Sequence, residues 1–196
     1  MSSRLEQQIE FILEIDRLKS ILRQTTLTDD SRRENSAEHS WHIALMVFVL
    51  AEHAVGEDLA LDRVMQMLLV HDLVEIDAGD TFCYDAEANR DKEIREQRAA
   101  DRIFGLLPPD QGERLRRLWD EFEAGETPEA RYAVALDRMQ PMLLNLASEG
   151  SSWQRHGIRR QQVVERNRPI GDGAPALWRY MEERLAAAVR DGLLEE

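Results

Sequence analysis

Apolar residues recur at three- and four-residue intervals along almost the whole chain, and this helical period is the pattern that most limits the possible fold. Segment 4–23 carries it at Leu5, Ile9, Ile12, Leu13, Ile15, Leu18, Ile21 and Leu22. Further helices are predicted at about 37–55, 62–75, 87–104, 110–124, 128–149, 158–167 and 174–190. The sequence has no alternating strand pattern of useful length. The expected fold class is therefore all-α, a helical bundle.

Polar and helix-breaking residues mark the limits of these helices. Segment 24–36 is polar and predicts a loop, and Ser36 is the expected N-cap of the next helix. Pro141 lies inside the predicted helix 128–149, where a missing N–H and a ring clash should produce a kink.

The length and composition fit one domain spanning residues 1–196. The chain has 196 residues and 43% hydrophobic residues, which is enough to bury a sizeable core. We expect a core of about residues 5–150 and a helical C-terminal extension of about 151–190. Segment 150–157, GSSWQRHG, is the best candidate for the break between them.

The charge and the cysteine content limit the partners. A net charge of −13 opposes binding to nucleic acid or anionic membranes, although a metal or local arginines can still attract a small anionic substrate. The single Cys83 excludes an intramolecular disulfide and a cysteine-rich zinc site. The polar N-terminus lacks a signal-peptide pattern, and apolar runs such as 43–51 are too short to span a bilayer. A soluble, cytoplasmic protein is expected.

Polar residues in apolar surroundings carry the functional signal. His71 and Asp72 end the apolar run VMQMLLV, Asp137 lies within YAVALDRMQPMLL, and His39 and His42 open the helix that continues IALMVFVLA. Burying a carboxylate is unfavourable unless it is paired or coordinated. Imidazoles and carboxylates gathered around one divalent cation would remove that penalty together.

Each residue taken alone also has an ordinary explanation. His39 could be a hydrogen-bonded core or surface histidine, and a His-Asp dipeptide is common by chance. Asp137 could pair with Arg138 or cap a neighbouring helix. The joint order of His, then His-Asp, then Asp favours a metal site over these alternatives.

Three segments resemble the HD-domain metal-dependent phosphohydrolases, most closely the branch that contains bacterial 5′-deoxynucleotidases. They are ENSAEHSWH at 34–42, HDLVEIDAGDTFCYD at 71–85 and LDRMQP at 136–141. The likeness extends over about residues 5–185 and implies an HD-domain helical bundle. It also implies four metal ligands, which are His39, His71, Asp72 and Asp137.

The number of metal ions follows from the histidine positions. HD enzymes with two metals typically supply extra histidines after the His-Asp pair, and none occurs between Asp72 and Asp137. We therefore expect one divalent ion, which could be Mn, Co, Fe, Zn or Mg. His42 is expected to pack or hydrogen-bond near the site.

Two acids after the His-Asp pair are the expected catalytic residues. Glu75 lies at i+3 from Asp72 and i+4 from His71, so a regular helix would place it on the same face as an acid/base group. Asp80 and the backbone N–H of Thr81 follow in a turn that can face an anion. The resemblance implies that this segment contacts substrate. The alternatives are a solvent-facing Glu75 and a helix-capping role for Asp80 and Thr81.

A cationic side chain is needed to orient phosphate, and Arg23 matches the arginine that has this role in the resembling enzymes. A tryptophan usually follows that arginine in the deoxynucleotidases, whereas Gln24 stands here, which puts selectivity for deoxyribose in question. The complete expected substrate-binding set is Arg23, Gln24, Asp72, Asp80 and Thr81.

The expected activity is hydrolysis of (deoxy)nucleoside 5′-monophosphates. One alternative is another nucleotide substrate, cyclic or an alarmone, but alarmone hydrolases usually have a second acid after the glutamate, where this chain has Ile76. A non-catalytic, metal-stabilised binding module is the other alternative. It would not need Glu75 and Asp80.

A homodimer is also expected. The helices at 110–124 and 174–190 carry apolar stripes on what should be the outside of the core, and large exposed apolar patches usually mark contacts. The residues that suggest it are Trp119, Phe122, Trp178 and Leu185. The alternative is that the C-terminal helix covers the core of its own chain.

Overall fold

Helices make up most of the computed structural model, which describes residues 3–56, 58–85 and 87–196. The α-helices in these residues are α1 (Arg4–Ile15), α2 (Ser36–Val49), α3 (Leu61–Val70), α4 (Glu75–Ala78), α5 (Lys92–Phe104), α6 (Pro109–Ala124), α7 (Pro128–Ala147), α8 (Ser151–His156), α9 (Arg160–Asn167), α10 (Ile170–Gly173) and α11 (Pro175–Arg190). Short 3-10 helices occupy Asp16–Ser20, Ala51–His53 and His71–Val74. The predicted all-α class is confirmed.

The first predicted helix and the loop after it differ from the sequence expectation. Helix α1 ends at Ile15, a 3-10 turn follows, and the chain then forms strand β1 (Leu22–Thr26). Strand β1 pairs antiparallel with β2 (Arg33–Asn35), so that Leu22 lies opposite Asn35. Thr25 and Thr26 are buried, and β-branched residues favour such a pleated, half-buried segment.

The start of α2 differs by one residue, and this difference matters for the site. Asn35, and not Ser36, is the N-cap: its side chain accepts a hydrogen bond from the Glu38 backbone N–H, and the Glu38 side chain accepts one from the Asn35 N–H. This reciprocal capping box satisfies two N–H groups at the helix start. The Ser36 hydroxyl is therefore free to point elsewhere.

The His-Asp pair does not lie on a continuous α-helix. Helix α3 ends at Val70, residues 71–74 tighten into a 3-10 helix, and α4 begins at Glu75. Residues three apart eclipse each other in a 3-10 helix, so Asp72 and Glu75 share a face even though the predicted regular helix is broken. His71, Asp72 and Glu75 are all buried.

Helix α7 forms the centre of the molecule and packs against α2, α3, α6, α10 and α11. One buried apolar cluster extends from Phe11 to Leu194. Segment 150–157, where a break was expected, forms α8 and buries Trp153 in this cluster. None of the described helices is long and apolar enough to cross a membrane.

The expectation that four large side chains lie on the outside was wrong for three of them. Trp119, Phe122 and Leu185 are buried in the core, and Trp178 packs against it while partly exposed. Helix α11 lies against α7 and α9, so the C-terminal part covers its own chain. An apolar stripe in the sequence indicates that a helix face is covered. It does not indicate whether the same chain or a second copy covers that face.

Candidate active site

Two histidines present the same ring nitrogen to the centre of the site. The Nδ1–H of His39 donates to Gln140 Oε1 at 3.0 Å, and the Nδ1–H of His71 donates to the Leu68 carbonyl at 2.9 Å. Because carbonyl oxygens only accept, each Nδ1 carries the proton and each Nε2 lone pair is available. Neutral imidazole with a free Nε2 is the form that binds a metal ion.

The two Nε2 atoms face two carboxylates. Asp137 Oδ1 lies 2.9 Å from His39 Nε2 and 3.5 Å from His71 Nε2, and Asp72 Oδ1 lies 3.0 Å from His71 Nε2. Ligand atoms of His39, His71 and Asp72 all lie within 4.8 Å of one another. His71 Nε2 is buried and has no hydrogen-bond partner among the described residues. This donor set and this orphaned nitrogen fit a divalent cation.

The pKa values of the metal-free cluster also show that its carboxylates favour a positive charge beside them. Burial alone would lower the pKa of His71, but Asp72 and Asp137 outweigh it and raise that pKa. Burial opposes ionisation of Asp72, yet the charges of His71 and Arg23 lower its pKa to about 2. The pKa of Asp137 is held well below its ordinary value, because the facing side chains of His39 and His71 outweigh the effect of burial. Without a metal, protonated His71 stands in for the cation.

A buried polar chain behind the cluster fixes the orientation of His39. Gln140 accepts from His39, donates from its Nε2 to Glu34 Oε1 at 2.6 Å, and lies 3.1 Å from His42 Nδ1. Glu34 and Gln140 are buried. His42 therefore hydrogen-bonds beside the site. Second-layer contacts of this kind hold a ligand ring in one tautomer and one direction.

Glu75 is buried beside the cluster and is not the solvent-facing carboxylate of the alternative interpretation. Its side chain is largely covered, and its Oε2 accepts a hydrogen bond from Ser36 Oγ at 2.6 Å. Burial and the neighbouring Asp72 raise the pKa of Glu75 to about 8. A carboxyl group with so raised a pKa suits proton transfer near neutral pH.

Arg23 lies within the site and is not solvated at a helix end. It projects from β1, donates from Nη1 to Asp72 Oδ2 at 2.8 Å, and its Nε lies 3.8 Å from Glu34 Oε2. Arg33, in contrast, donates to the Leu22 and Arg23 carbonyls and so ties β2 to β1.

One cleft gathers nearly all the residues predicted from the sequence. Its lining includes Arg23, Gln24, His71, Asp72, Glu75, Asp80, Thr81 and Asp137. His39 is fully buried and is not part of the lining. A concave site with a few convergent polar groups is typical of ligand sites.

The turn after α4 brings Asp80 and Thr81 to this cleft. Gly79 has φ 76°, a conformation that glycine adopts without a steric penalty. Burial and Asp72 raise the pKa of Asp80, while Arg23 opposes the rise. The Thr81 hydroxyl accepts from Arg95 Nη2 at 3.1 Å, which anchors the turn to α5.

Sequence reasoning missed the residues that support the site from a distance. Ser36 was interpreted as a helix cap, and Glu34 and Gln140 were not singled out. One signal was present: Gln140 lies three residues after Asp137, on the same face of α7. The expected alternative of an Asp137–Arg138 ion pair does not occur among the described residues.

Comparisons with known proteins agree with this geometry. The profile of a family described as "HD domain" matches residues 15–178. A Homo sapiens protein named 5′-deoxynucleotidase HDDC2 is 29% identical over 136 residues, which cover 69% of this chain and 65% of the relative. The Danio rerio protein of the same name is 26% identical over 140 residues, covering 71% of this chain and 68% of the relative. The chain thus spans just under two thirds of the human relative's length.

Solved structures give a fuller match. The crystal structure of a "predicted metal-dependent phosphohydrolase" from Magnetospirillum magnetotacticum is 54% identical, with a TM-score of 0.94 over 99% of this chain and 97% of that chain. A conserved hypothetical protein from Pyrococcus furiosus is 21% identical, with a TM-score of 0.59 over 93% of this chain and 99% of that one. The second likeness concerns the fold alone.

Proposed function

This chain belongs to the HD-domain family, and from that premise we propose that it is a metal-dependent phosphohydrolase acting on (deoxy)nucleoside 5′-monophosphates. The observation that carries the proposal is the meeting of the His39 and His71 Nε2 atoms with two carboxylates, the buried Asp72 and the half-buried Asp137, in one cleft with Glu75 and Arg23. The names of the matched relatives support the substrate class.

We propose that His39, His71, Asp72 and Asp137 hold one divalent ion. Bound there, the ion would supply Lewis-acid polarisation of a phosphate oxygen and lower the pKa of water. Arg23 neutralises Asp72 and offers its remaining N–H groups to the phosphate. Because guanidinium matches the geometry of phosphate oxygens, Arg23 is suited to orienting the scissile group.

Two carboxyl groups divide the proton transfers in the proposed reaction. A water oxygen bonds to phosphorus and the ester bond to the 5′ oxygen breaks, giving a nucleoside and inorganic phosphate. Glu75 accepts the water proton at Oε1, because Ser36 occupies Oε2. Asp80, with its raised pKa, is protonated more readily than an ordinary aspartate and donates to the leaving 5′ oxygen. Thr81 and Gln24 line the substrate side of the cleft.

The direct test is release of inorganic phosphate from purified protein. Each common ribo- and deoxyribonucleoside 5′-monophosphate is incubated with Mn, Co, Fe, Zn or Mg in turn. We expect metal-dependent release that a chelator abolishes. Asp72→Ala should lose both bound metal and activity, because it removes a donor and leaves His71 and Arg23 without their partner. Full metal content in Asp72→Ala would contradict the ligand assignment.

We further propose that the protein is a homodimer and cytoplasmic. Two exposed apolar stripes offer a contact for a second copy: Leu5, Ile9, Ile12 and Leu13 on α1, and Trp41, Leu45, Phe48 and Val49 on α2. The free, exposed thiol of Cys83 is compatible with a reducing compartment. Cell fractionation would test the location.

A further inference from the structure

Two buried polar atoms face each other between strands β1 and β2 without a hydrogen bond. Arg23 Nε and Glu34 Oε2 are both buried, and neither has a hydrogen-bond partner in the described part of the chain. The two atoms lie 3.8 Å apart, which is an ion-pair distance but too long for a hydrogen bond. Arg23 follows Leu22 on β1 and Glu34 precedes Asn35 on β2, and Leu22 lies opposite Asn35. Opposite charges placed across two paired strands attract each other.

The other oxygen of Glu34 fixes this carboxylate in place. Glu34 Oε1 accepts a hydrogen bond from Gln140 Nε2 at 2.6 Å, and the Glu34 side chain is only 3% exposed. Glu34 Oε2 also lies 3.7 Å from His39 Nδ1, but the N–H of that nitrogen is already donated to Gln140. The free oxygen of an immobilised carboxylate is therefore directed at Arg23.

Arg23 needs this second partner because its nearer one is shared. Asp72 Oδ2 accepts from Arg23 Nη1 at 2.8 Å, while Asp72 Oδ1 lies 3.0 Å from His71 Nε2. Asp72 is also one of the proposed metal ligands, and a carboxylate that binds a cation attracts a guanidinium group less strongly. Glu34, in contrast, does not line the cleft, so a ligand in the cleft does not compete for it.

The direction of the guanidinium plane decides which N–H groups reach the cleft. With Nη1 donated to Asp72 and Nε facing Glu34, Arg23 keeps Nη2, which forms no hydrogen bond among the described residues, for a ligand. Guanidinium binds phosphate oxygens in a fixed fork geometry, so a rotated plane would lose that match.

We propose that Glu34 is a positioning residue, which holds the Arg23 guanidinium in the direction that binds the substrate phosphate. This inference rests on the proposed phosphohydrolase function and deepens it. Glu34 does not touch the substrate and acts only through Arg23. The alternative is that Glu34 merely stabilises the packing of β2 against α7, which would leave phosphate affinity unchanged.

The experiment measures the binding of inorganic phosphate to Mn-saturated protein by calorimetry. Glu34→Gln keeps the shape and an acceptor oxygen for Gln140, but it has no charge to offer Arg23. We expect its Kd for phosphate to rise by about tenfold, the usual effect of losing such a supporting partner. KM for 2′-deoxyadenosine 5′-monophosphate should rise in parallel, with a smaller change in kcat. Glu14→Gln is the matched control, because Glu14 pairs with Arg17 and Arg102 outside the cleft lining.

A double variant tests whether Glu34 acts through Arg23. In an Arg23→Gln background, Glu34→Gln should cause no further loss of phosphate affinity, because the group that it positions is already absent. The same loss in both backgrounds would overturn the proposal. So would a Glu34→Gln protein that is less stable than wild type but binds phosphate equally well.

Thermal unfolding decides the pairing even if Glu34→Gln alone does not fold or the wild-type protein does not bind phosphate. Arg23→Gln leaves Glu34 buried without its cation, so the double variant should have a higher Tm than Arg23→Gln. A lower Tm of the double variant would overturn the pairing. Wild-type protein that neither binds phosphate nor hydrolyses the nucleotide would instead contradict the proposed function.

Discussion

At the scale of single residues, Glu75 is the side chain whose surroundings are most specific. Ser36 holds one carboxylate oxygen, and burial keeps the group away from bulk water. Glu75→Gln preserves the shape but cannot accept a proton, so we expect normal metal content and a loss of about 10²–10⁴ in kcat. Metal analysis and phosphate release measure the two effects. Glu52→Gln, on the surface, is the control, and near wild-type turnover in Glu75→Gln would move the proton role to Asp80.

The raised pKa of Glu75 also predicts how the metal-free protein responds to pH. Its pKa is about 8 in the folded protein against an ordinary value of 4.5, so the folded state favours the protonated form. The stability from this group is complete below pH 4.5 and is lost as pH rises through 8. After chelation, the Tm of the wild-type protein should therefore fall further between about pH 5 and about pH 8.5 than the Tm of Glu75→Gln. These two pH values lie near the ordinary and the raised pKa of Glu75. Parallel curves for the two proteins would contradict the raised pKa.

Gln24 bears on the choice of sugar. It lines the cleft next to Arg23, where the resembling deoxynucleotidases have a tryptophan. An amide can hydrogen-bond a 2′-hydroxyl, whereas loss of an apolar contact alone changes selectivity little. We expect kcat/KM for a ribonucleotide to lie within about a hundredfold of its 2′-deoxy counterpart.

Two aromatic side chains, Trp41 and Phe82, are candidates to take the place of the missing tryptophan, and they differ in their positions. Trp41 is exposed on α2 and is not part of the described cleft lining, whereas Phe82 lines the cleft. A preference for the 2′-deoxy nucleotide above about a hundredfold is more than the loss of an apolar contact accounts for. Such a preference would mean that Gln24 does not determine the choice of sugar. Phe82→Ala would then be the variant to measure.

The metal cluster could be predicted from the sequence because a histidine or aspartate in an apolar run is stable only with a partner. The residues that support the cluster, Ser36, Glu34 and Gln140, could not be predicted in this way. Ser36 meets Glu75 across 39 positions and Gln140 meets Glu34 across 106, and such contacts exist only once helices pack.

At the scale of elements, the close approach of α10 to α7 makes one glycine indispensable. A Cβ on Gly173 would lie 2.2 Å from the Arg131 carbonyl oxygen, which belongs to backbone and cannot move aside alone. We expect Gly173→Ala to lower the free energy of unfolding by about 1–3 kcal/mol. Gly171→Ala, in the same short helix, would meet Trp178 at an ordinary 3.4 Å. Urea unfolding should give a lower midpoint for Gly173→Ala than for Gly171→Ala. Equal midpoints would contradict the close contact at Gly173.

The short elements were the part of the fold that periodicity could not resolve. Strands of five and three residues are too short for an alternating pattern to be recognised, so β1 and β2 fell within a predicted helix and loop. The 3-10 helix at 71–74 was likewise hidden inside an apolar run. The long helices α6, α7 and α11 lie within about two residues of their predicted limits.

At the scale of the whole molecule, the exposed stripes on α1 and α2 predict self-association. Phe48 is 55% exposed, and a charge there would be buried unfavourably if a second copy covers it. We expect light scattering at micromolar concentration to give twice 22.7 kDa for wild-type protein and a lower mass for Phe48→Glu. Tyr180→Glu, a change of similar exposure on α11, is the control. A wild-type mass of 22.7 kDa would refute the dimer.

The spacing of the proposed metal ligands along the chain has a consequence for biosynthesis. His39 and Asp137 are separated by 98 positions, with His71 and Asp72 between them. A nascent chain leaving the ribosome cannot bring these groups together until α7 has emerged and docked. Domains fold as units during synthesis, and metal binding follows assembly of the ligands. The ion should therefore enter late and stabilise the completed bundle, and a chain truncated before residue 137 should not hold it with the full ligand set.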